Sequence, residues 1–176
     1  MSHMQHQEKT LVLIKPDAIQ RGLIGEIITR FEKVGLKLVG AKMVEPSKDH
    51  YFHHYENIGK MVSRRGQKAF DVTLDMMQMG PVLALVLTGV EAVALVRKMV
   101  GATEPKSAVP GTIRGDYSHM SFGHADANDV GIPNLVHASG DTTEASAEIA
   151  HWFSEAELFG GYETVHEKFT QTRKHS

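Results

Sequence analysis

Cysteine is absent from the 176-residue chain, which removes disulfides, thiolate catalysis and cysteine-bearing zinc sites and is compatible with a reducing compartment. Charge of one sign is lacking too: 19 Lys and Arg against 21 Asp and Glu leave a net −2, without the basic excess of a nucleic-acid or membrane-surface binder. A membrane partner and a nucleic-acid partner are therefore not indicated. The longest apolar run, Val82–Leu87, is far short of the roughly 20 residues a bilayer-spanning helix needs. Residues 1–9 hold no apolar stretch of a secretory signal, and residues 1–8 are expected to be a disordered N-terminus or an expression remnant. Neither Gly-x-x-x-x-Gly-Lys-Ser/Thr nor Gly-x-Gly-x-x-Gly occurs, so the usual glycine-loop cradles for phosphate are missing.

What is present describes one globular unit. Against about 150 residues per domain, this length leaves room for a single core, and 41% hydrophobic with 23% charged residues lies near globular averages. Thr10–Ile14 is a continuous apolar run stopped by Pro16, which reads as a strand buried on both sides. Leu23, Ile24, Ile27, Ile28, Phe31 and Val34 recur at helical spacing, with Gly35 at the stop. A second strand follows over 36–44, with Lys37 and Lys42 turning one side to solvent. Residues 48–58 read as short helix or loop and 59–67 as a connection. Phe70, Leu74 and Met77 then mark a helix ending near Gly80-Pro81, Val82–Leu87 a central strand, and Val93, Val96 and Val100 a helix closed by Gly101. Residues 102–133 show no period, and so long an irregular segment in a compact domain points to function or disorder. Residues 135–138 form a last strand, and Asp141-Thr142-Thr143-Glu144 opens a helix through Phe153 as a capping box would. Strands alternating with helices predict a sheet with helices packed on it.

The informative residues are ionisable groups that the pattern forces onto apolar faces, because desolvating them costs several kcal/mol without a partner. Arg97 falls in the stripe Val93, Val96, Arg97, Val100, and Glu148 in Ala145, Glu148, Ile149, Trp152. Lys15 ends a buried strand, and His137 alternates with Leu135 and Ser139 on one face of the last strand. Each has a structural account: a snorkelling Arg97, a Glu148 paired with it, a strand-end Lys15, a satisfied core histidine. Arg114, between glycines in Gly111-Thr112-Ile113-Arg114-Gly115-Asp116, adds a third cation at an apolar or glycine-rich position. Lys15, Arg97 and Arg114 together call for an anion of several charges, and a polyphosphate fits. With no cysteine and no metal-ligand motif, one histidine on a rigid strand is the candidate nucleophile. An imidazole titrating near its ordinary value of about 6.5 is mostly neutral at pH 7. Glu148 would accept a hydrogen bond from one ring nitrogen and leave the other for phosphorus.

Leu13-Ile14-Lys15-Pro16-Asp17-Ala18, Gly111–Asp116, Asn134-Leu135-Val136-His137-Ala138-Ser139 and the run 97–105 resemble the nucleoside diphosphate kinase family, in order and at compatible spacing, over about residues 9–153. The resemblance implies a ferredoxin-like βαββαβ sandwich, a four-stranded antiparallel sheet with helices packed on it, as one domain over 9–159 with longer loops at 59–68 and 117–133 and a C-terminal tail over 160–176. It implies a cytoplasmic homohexamer or related homo-oligomer acting on nucleoside di- and triphosphates, with Mg2+ held mainly by their phosphates and no dedicated protein metal site. Carried over by position, His137 is the histidine that takes the γ-phosphoryl group from a triphosphate and passes it to a diphosphate. Glu148 is the orienting carboxylate and Ser139 the hydroxyl beside it. Lys15, Tyr55, Arg97, Thr103, Arg114 and Asn134 are contacts to phosphate and ribose, and low base selectivity follows.

The match has departures. The chain is about six residues longer between Tyr55 and Pro81 and about ten longer between Asp116 and Asn134, insertions that surface loops tolerate. The family stacks the base on a Phe; the count back from Gly80-Pro81 reaches Ala69, and its neighbour Phe70 is taken as the base contact. Ala138 and Gly140 stand where Gly and Asp are commoner. Two competing readings concern other chemistry: a metal held by His50, His53 and His54 on one helix face, and a nucleotide-binding module without turnover, whose hallmark would be a replaced histidine. Arg64, Arg65 and Lys68 form a basic cluster that reads as a solvated face or as a contact to the nucleotide or a neighbouring subunit.

Overall fold

A computed structural model describes residues 6–170. Its centre is β1 (Gln7–Ile14), which starts ahead of the apolar run and pairs antiparallel with β3 (Val82–Val90) along its whole length and with β4 (Val136–Ala138) at its end. On the far side of β3 lies β2 (Lys37–Val44), also antiparallel, giving the order β2-β3-β1-β4. Alternate residues of β1 feed two cores, Leu11 and Leu13 on one face and Val12 and Ile14 on the other. That is why its sequence is continuously apolar instead of alternating.

One face carries α1 (Pro16–Gln20), α2 (Ile24–Lys33) and α6 (Ala92–Val100), which seat Ala18, Ile27, Phe31 and Val96 on Val12, Ile14, Leu85 and Leu87. The other carries α3 (Lys48–Phe52), which runs on into a π-helical turn (His53–Ile58), then α4 (Met61–Arg65) and α5 (Gln67–Met77). It closes with α9 (Thr142–Trp152), after the short helices α7 (Ile113–Tyr117) and α8 (Phe122–Ala127). The architecture is the ferredoxin-like βαββαβ sandwich. A last turn, α10 (Glu167–Thr170), ends the described residues. Of the expected disordered N-terminus over residues 1–8, residues 1–5 lie outside them, while Gln7 and Glu8 are not disordered but open β1, paired with Val90 and Gly89.

Four expectations about local structure need correction. Residues 59–67 are not a plain connection but hold α4 and the start of α5, and 102–133 contains α7, α8 and a 3₁₀ turn at Pro105–Ser107. None of the short helices has a long apolar stripe, so periodicity does not reveal them. Lys37 does not face solvent: it is 6% exposed, and its ammonium donates to the Gly160 and Tyr162 carbonyls and to Glu167 (3.0 Å), because the tail folds back across β2. Leu135 does not share a face with His137. Its φ of 71° puts it in the left-handed region just before β4, and its side chain enters the core on the opposite side of the sheet. A branched residue in that region is strained, and the bond from its N–H to Asp17 Oδ2 (2.9 Å) helps hold it there.

Candidate functional site

The register of β4 sets the first side chain. His137 lies opposite Leu13, and directly opposed residues share a face, so the imidazole stands on the side of the sheet covered by α9 and the π-helical turn. From α9, Glu148, only 1% exposed, accepts a hydrogen bond from His137 Nε2 at 2.7 Å and another from Ser139 Oγ at 2.6 Å. Ser139 is fixed in turn by the Leu11 N–H (3.2 Å). A carboxylate this deep costs several kcal/mol to desolvate, and two donors aimed at its two oxygens offset that. The bond fixes the proton on Nε2 and leaves Nδ1 as the nitrogen with an available lone pair.

Behind the imidazole sits His54, buried in the π-helical turn, its ring edge-on to His137 at 4.5 Å between centroids. Its Nδ1 accepts from Trp152 Nε1 (3.1 Å), and burial, followed by the neighbouring His137, drives its pKa well below the usual imidazole value. His54 is thus a neutral wall. The suggested metal set does not converge: His50 and His53 both stack on His151, at 3.8 and 4.4 Å, while His54 turns inward. His54, His137 and Glu148 do lie close enough to share an ion. However, Trp152 occupies His54 Nδ1, while His137 and Ser139 occupy the two Glu148 oxygens.

In front of the imidazole is a cleft of positive charge. Lys15, at the head of α1, is 6% exposed and donates to Asn134 Oδ1 (2.7 Å), whose amide nitrogen donates to the Thr103 carbonyl (2.9 Å). Arg114 is held by carbonyls alone: Nε to Asn134 (3.1 Å), one terminal nitrogen to Gly101 (2.9 Å) and the other to Val136 (2.6 Å). Local sequence makes that grip possible. Thr112 caps α7 through the Gly115 N–H (3.1 Å), and Asp116 ties the segment to Arg30 (2.7 Å) and to the Gly111 N–H (2.7 Å). Gly115 lies so close to the Val109 carbonyl that any Cβ would collide with it. Arg97, Arg64 and Arg65 complete the ring of cations around the cleft. Among the described residues none of these five cations lies within ion-pair distance of a carboxylate. Burial pushes Lys15 down to about 8, with Arg114 and Arg65 adding repulsion against the opposing pull of Asp17. Burial also pushes Arg114 down to about 10, with Arg97 adding to the effect. Charges this costly to bury and left unneutralised are what an anionic ligand would repay.

Of the residues singled out from sequence, Lys15, Tyr55, Arg97, Thr103, Arg114, Asn134, His137 and Glu148 all line this cleft, with Ser139 directly behind it. Buried Tyr55 keeps a hydroxyl that finds no partner among the described residues. Arg97 differs from its predicted surroundings: it is exposed on the last turn of α6, at the edge of the apolar stripe. Phe70 is not brought to the cleft. It is 3% exposed in the core, edge-on to Phe52 at 5.6 Å, because the period of α5 points it at the sheet. Met61, Thr73 and Ile132 line the cleft instead. Sequence reasoning missed His54 as a wall and Glu144 as a cleft residue. For Arg64 and Arg65 it offered only the alternative of a nucleotide contact.

The family model described as "Nucleoside diphosphate kinase" matches residues 8–158. A nucleoside diphosphate kinase of Borreliella burgdorferi is 43% identical over 155 residues, covering 86% of this chain and 90% of the relative. One from Pyrococcus furiosus is 46% identical over 156 residues, 89% of each chain. Among solved structures, the Borrelia burgdorferi enzyme with bound vanadate and ADP, a transition-state mimic, superposes with a TM-score of 0.88 at 40% identity, covering 92% of this chain and 95% of that one. A Halobacterium salinarum nucleoside diphosphate kinase in complex with CDP gives 0.78 at 36% identity, covering 94% and 99%.

Proposed function

The chain belongs to the nucleoside diphosphate kinase family, phosphotransferases that move the γ-phosphoryl group of a nucleoside triphosphate to a nucleoside diphosphate, and on that premise we propose that in this protein the group travels through His137. The observation that carries this reading is a histidine with one nitrogen pinned by a buried carboxylate, facing five cations that no carboxylate among the described residues pairs with at ion-pair distance. His137 Nδ1 attacks the γ-phosphorus as the bond to the bridging oxygen breaks. The diphosphate leaves, and a second diphosphate takes the group by the reverse displacement. The proton on Nε2 stays shared with Glu148, which offsets positive charge developing on the ring. Phosphoryl transfer asks a protein mainly for in-line positioning and charge neutralisation. Lys15, Arg97 and Arg114 would supply the neutralisation, Tyr55 and Thr103 add polar groups to the cleft wall, and the Asn134 amide, bonded to Lys15 and to the Thr103 carbonyl, holds the ammonium in place.

Magnesium fits this cleft as an ion that arrives on the nucleotide. Among the described residues two carboxylates line the cleft, and Glu148 is already committed, so phosphate oxygens and water would be its main ligands. When bound it supplies charge withdrawal from the phosphates. Met61 and Ile132 offer apolar surface without a pattern of donors and acceptors, which supports low base selectivity. We also propose a cytoplasmic homo-oligomer, a hexamer or a related assembly. Its site is where nucleotide pools are exchanged, and exposed Val109, Phe159, Val165 and Phe169 are surfaces a second subunit would cover. Among the described residues no helix is long and apolar enough to cross a membrane.

Incubation with γ-labelled ATP and magnesium tests the reading. The expected product is a phosphoenzyme labile to acid, stable to base, absent in His137→Ala and discharged by GDP. Nucleotide binding without label in the wild type contradicts it.

A further inference from the structure

The cleft contains one side chain whose charge opposes its apparent purpose. Glu144 lines it from the first turn of α9, half-buried, while its own backbone N–H is taken by the Asp141 side chain (2.8 Å). The cap therefore makes no use of the Glu144 carboxylate, which instead fills the space beside Gly140 that a Cβ there would need. No hydrogen bond or ion pair among the described residues engages that carboxylate. Arg64, whose charge acts on that carboxyl, spends a guanidinium nitrogen on the Gly59 carbonyl (3.2 Å). Burial, and next the charge of Glu148, hold the Glu144 carboxyl above the usual range, against the pull of His137 and Arg64. Two hydrogen bonds account for Glu148, whereas Glu144 has only the modest favourable field of the first turn of α9, which does not require its carboxylate to enter the cleft.

A carboxylate at this place repels every phosphate oxygen brought to His137, so it works against binding of a bare nucleotide. The sign of its effect reverses once the phosphates carry a divalent cation, because hard cations of this kind are typically held by one or two carboxylates together with substrate phosphates and several waters. We propose that Glu144 is the cleft's contact to the coordination sphere of the nucleotide-borne divalent cation, and that it makes the site prefer metal-loaded over metal-free nucleotide. The proposal rests on the reading of this cleft as the nucleotide site.

Titration calorimetry with ADP, in excess Mg2+ and separately in EDTA, tests this without reference to turnover. For Glu144→Gln, which keeps shape and helix position, the affinity for ADP in Mg2+ is expected to fall about fivefold while the affinity in EDTA rises about twofold, the charge having attracted one form and repelled the other. Glu144→Asp, with the charge kept on a shorter arm, is expected to fall between. A ratio of the two affinities equal to that of the wild type in Glu144→Gln, with an unchanged melting temperature, overturns the proposal. Lys15→Met separates the two levels of inference. If it weakens ADP binding in both conditions while Glu144→Gln leaves the ratio alone, the cleft is the nucleotide site and Glu144 is not its metal contact. If Lys15→Met binds ADP as the wild type does, the reading of the cleft falls and this proposal falls with it.

Discussion

Replacing Glu148 by Gln probes the hydrogen bond on which the orientation of His137 depends. The amide keeps the shape of the carboxylate, and its oxygen still accepts from His137 Nε2, now at 2.7 Å in the native geometry. Its NH2 then faces Ser139, whose hydroxyl lies 2.6 Å from the native carboxylate and is able to turn its proton to the Leu11 carbonyl. No buried group is orphaned, so the variant is expected to fold. What is lost is the charge. A hydrogen bond to a charged group contributes about 1.5–3 kcal/mol against about 1 for a neutral one, so stabilisation of the ring as it becomes phosphorylated falls by about 1–2 kcal/mol. At tenfold per 1.4 kcal/mol, phosphorylation by ATP slows about 5- to 30-fold. The assay is built in: Trp152 is the single tryptophan, and its indole bonds His54, which abuts His137, so stopped-flow fluorescence follows phosphorylation of that ring. A wild-type phosphorylation rate in Glu148→Gln would refute the orienting role.

Three further outcomes follow from the same geometry. Lys15, with a folded pKa of about 8 against 10.5 unfolded, is charged in both states below pH 8, so its burial costs stability there, at most about 3 kcal/mol, and the cost is relieved as pH rises from 8 towards 10.5. Lys15→Met is therefore expected to be more stable than wild type at pH 7, with the gap closing by pH 10 in urea titrations. Wild-type affinity for ADP should decline above pH 8, a decline absent from the variant. Arg114→Lys cannot reproduce the fork that reaches three carbonyls and should lose about 2 kcal/mol of stability, read as a lower melting temperature, with kcat/KM reduced about 100-fold. His54→Phe keeps a ring against His137 but leaves the Trp152 N–H buried without an acceptor, a loss of about 1–3 kcal/mol in urea unfolding; unchanged stability would discount that bond.

The fold was readable where residues do one job at a time. The run Thr10–Ile14 is apolar because both faces of β1 are buried, and Lys15 and Arg114 stood out as charges in places where only a ligand or a ring of carbonyls makes them tolerable. Arg97 was found by a partly mistaken route: the offsets put it beside Val93 and Val100, whereas the final turn of α6 lifts it clear of the core. Lys37 misled because its partners lie more than 120 residues away, a distance over which local pattern carries no information. His54 and Phe70 failed for different reasons. Facing is inferred from a period of 3.6, and the π-helical turn at His53–Ile58 breaks that period, while an insertion shifts the count that led to Phe70. Glu144 was legible only as a capping residue, since nothing in the sequence reveals that Asp141 alone does the capping.

The position of the phosphoryl group on the protein decides whether His137 Nδ1 is the nucleophile. Phosphorus NMR of the phosphorylated, denatured protein distinguishes the two imidazole isomers, and base-stable signal assigned by peptide mapping to His137 at Nδ1 is the predicted result, because Nε2 is held by Glu148. Attachment at Nε2, or at any residue other than His137, would contradict the account.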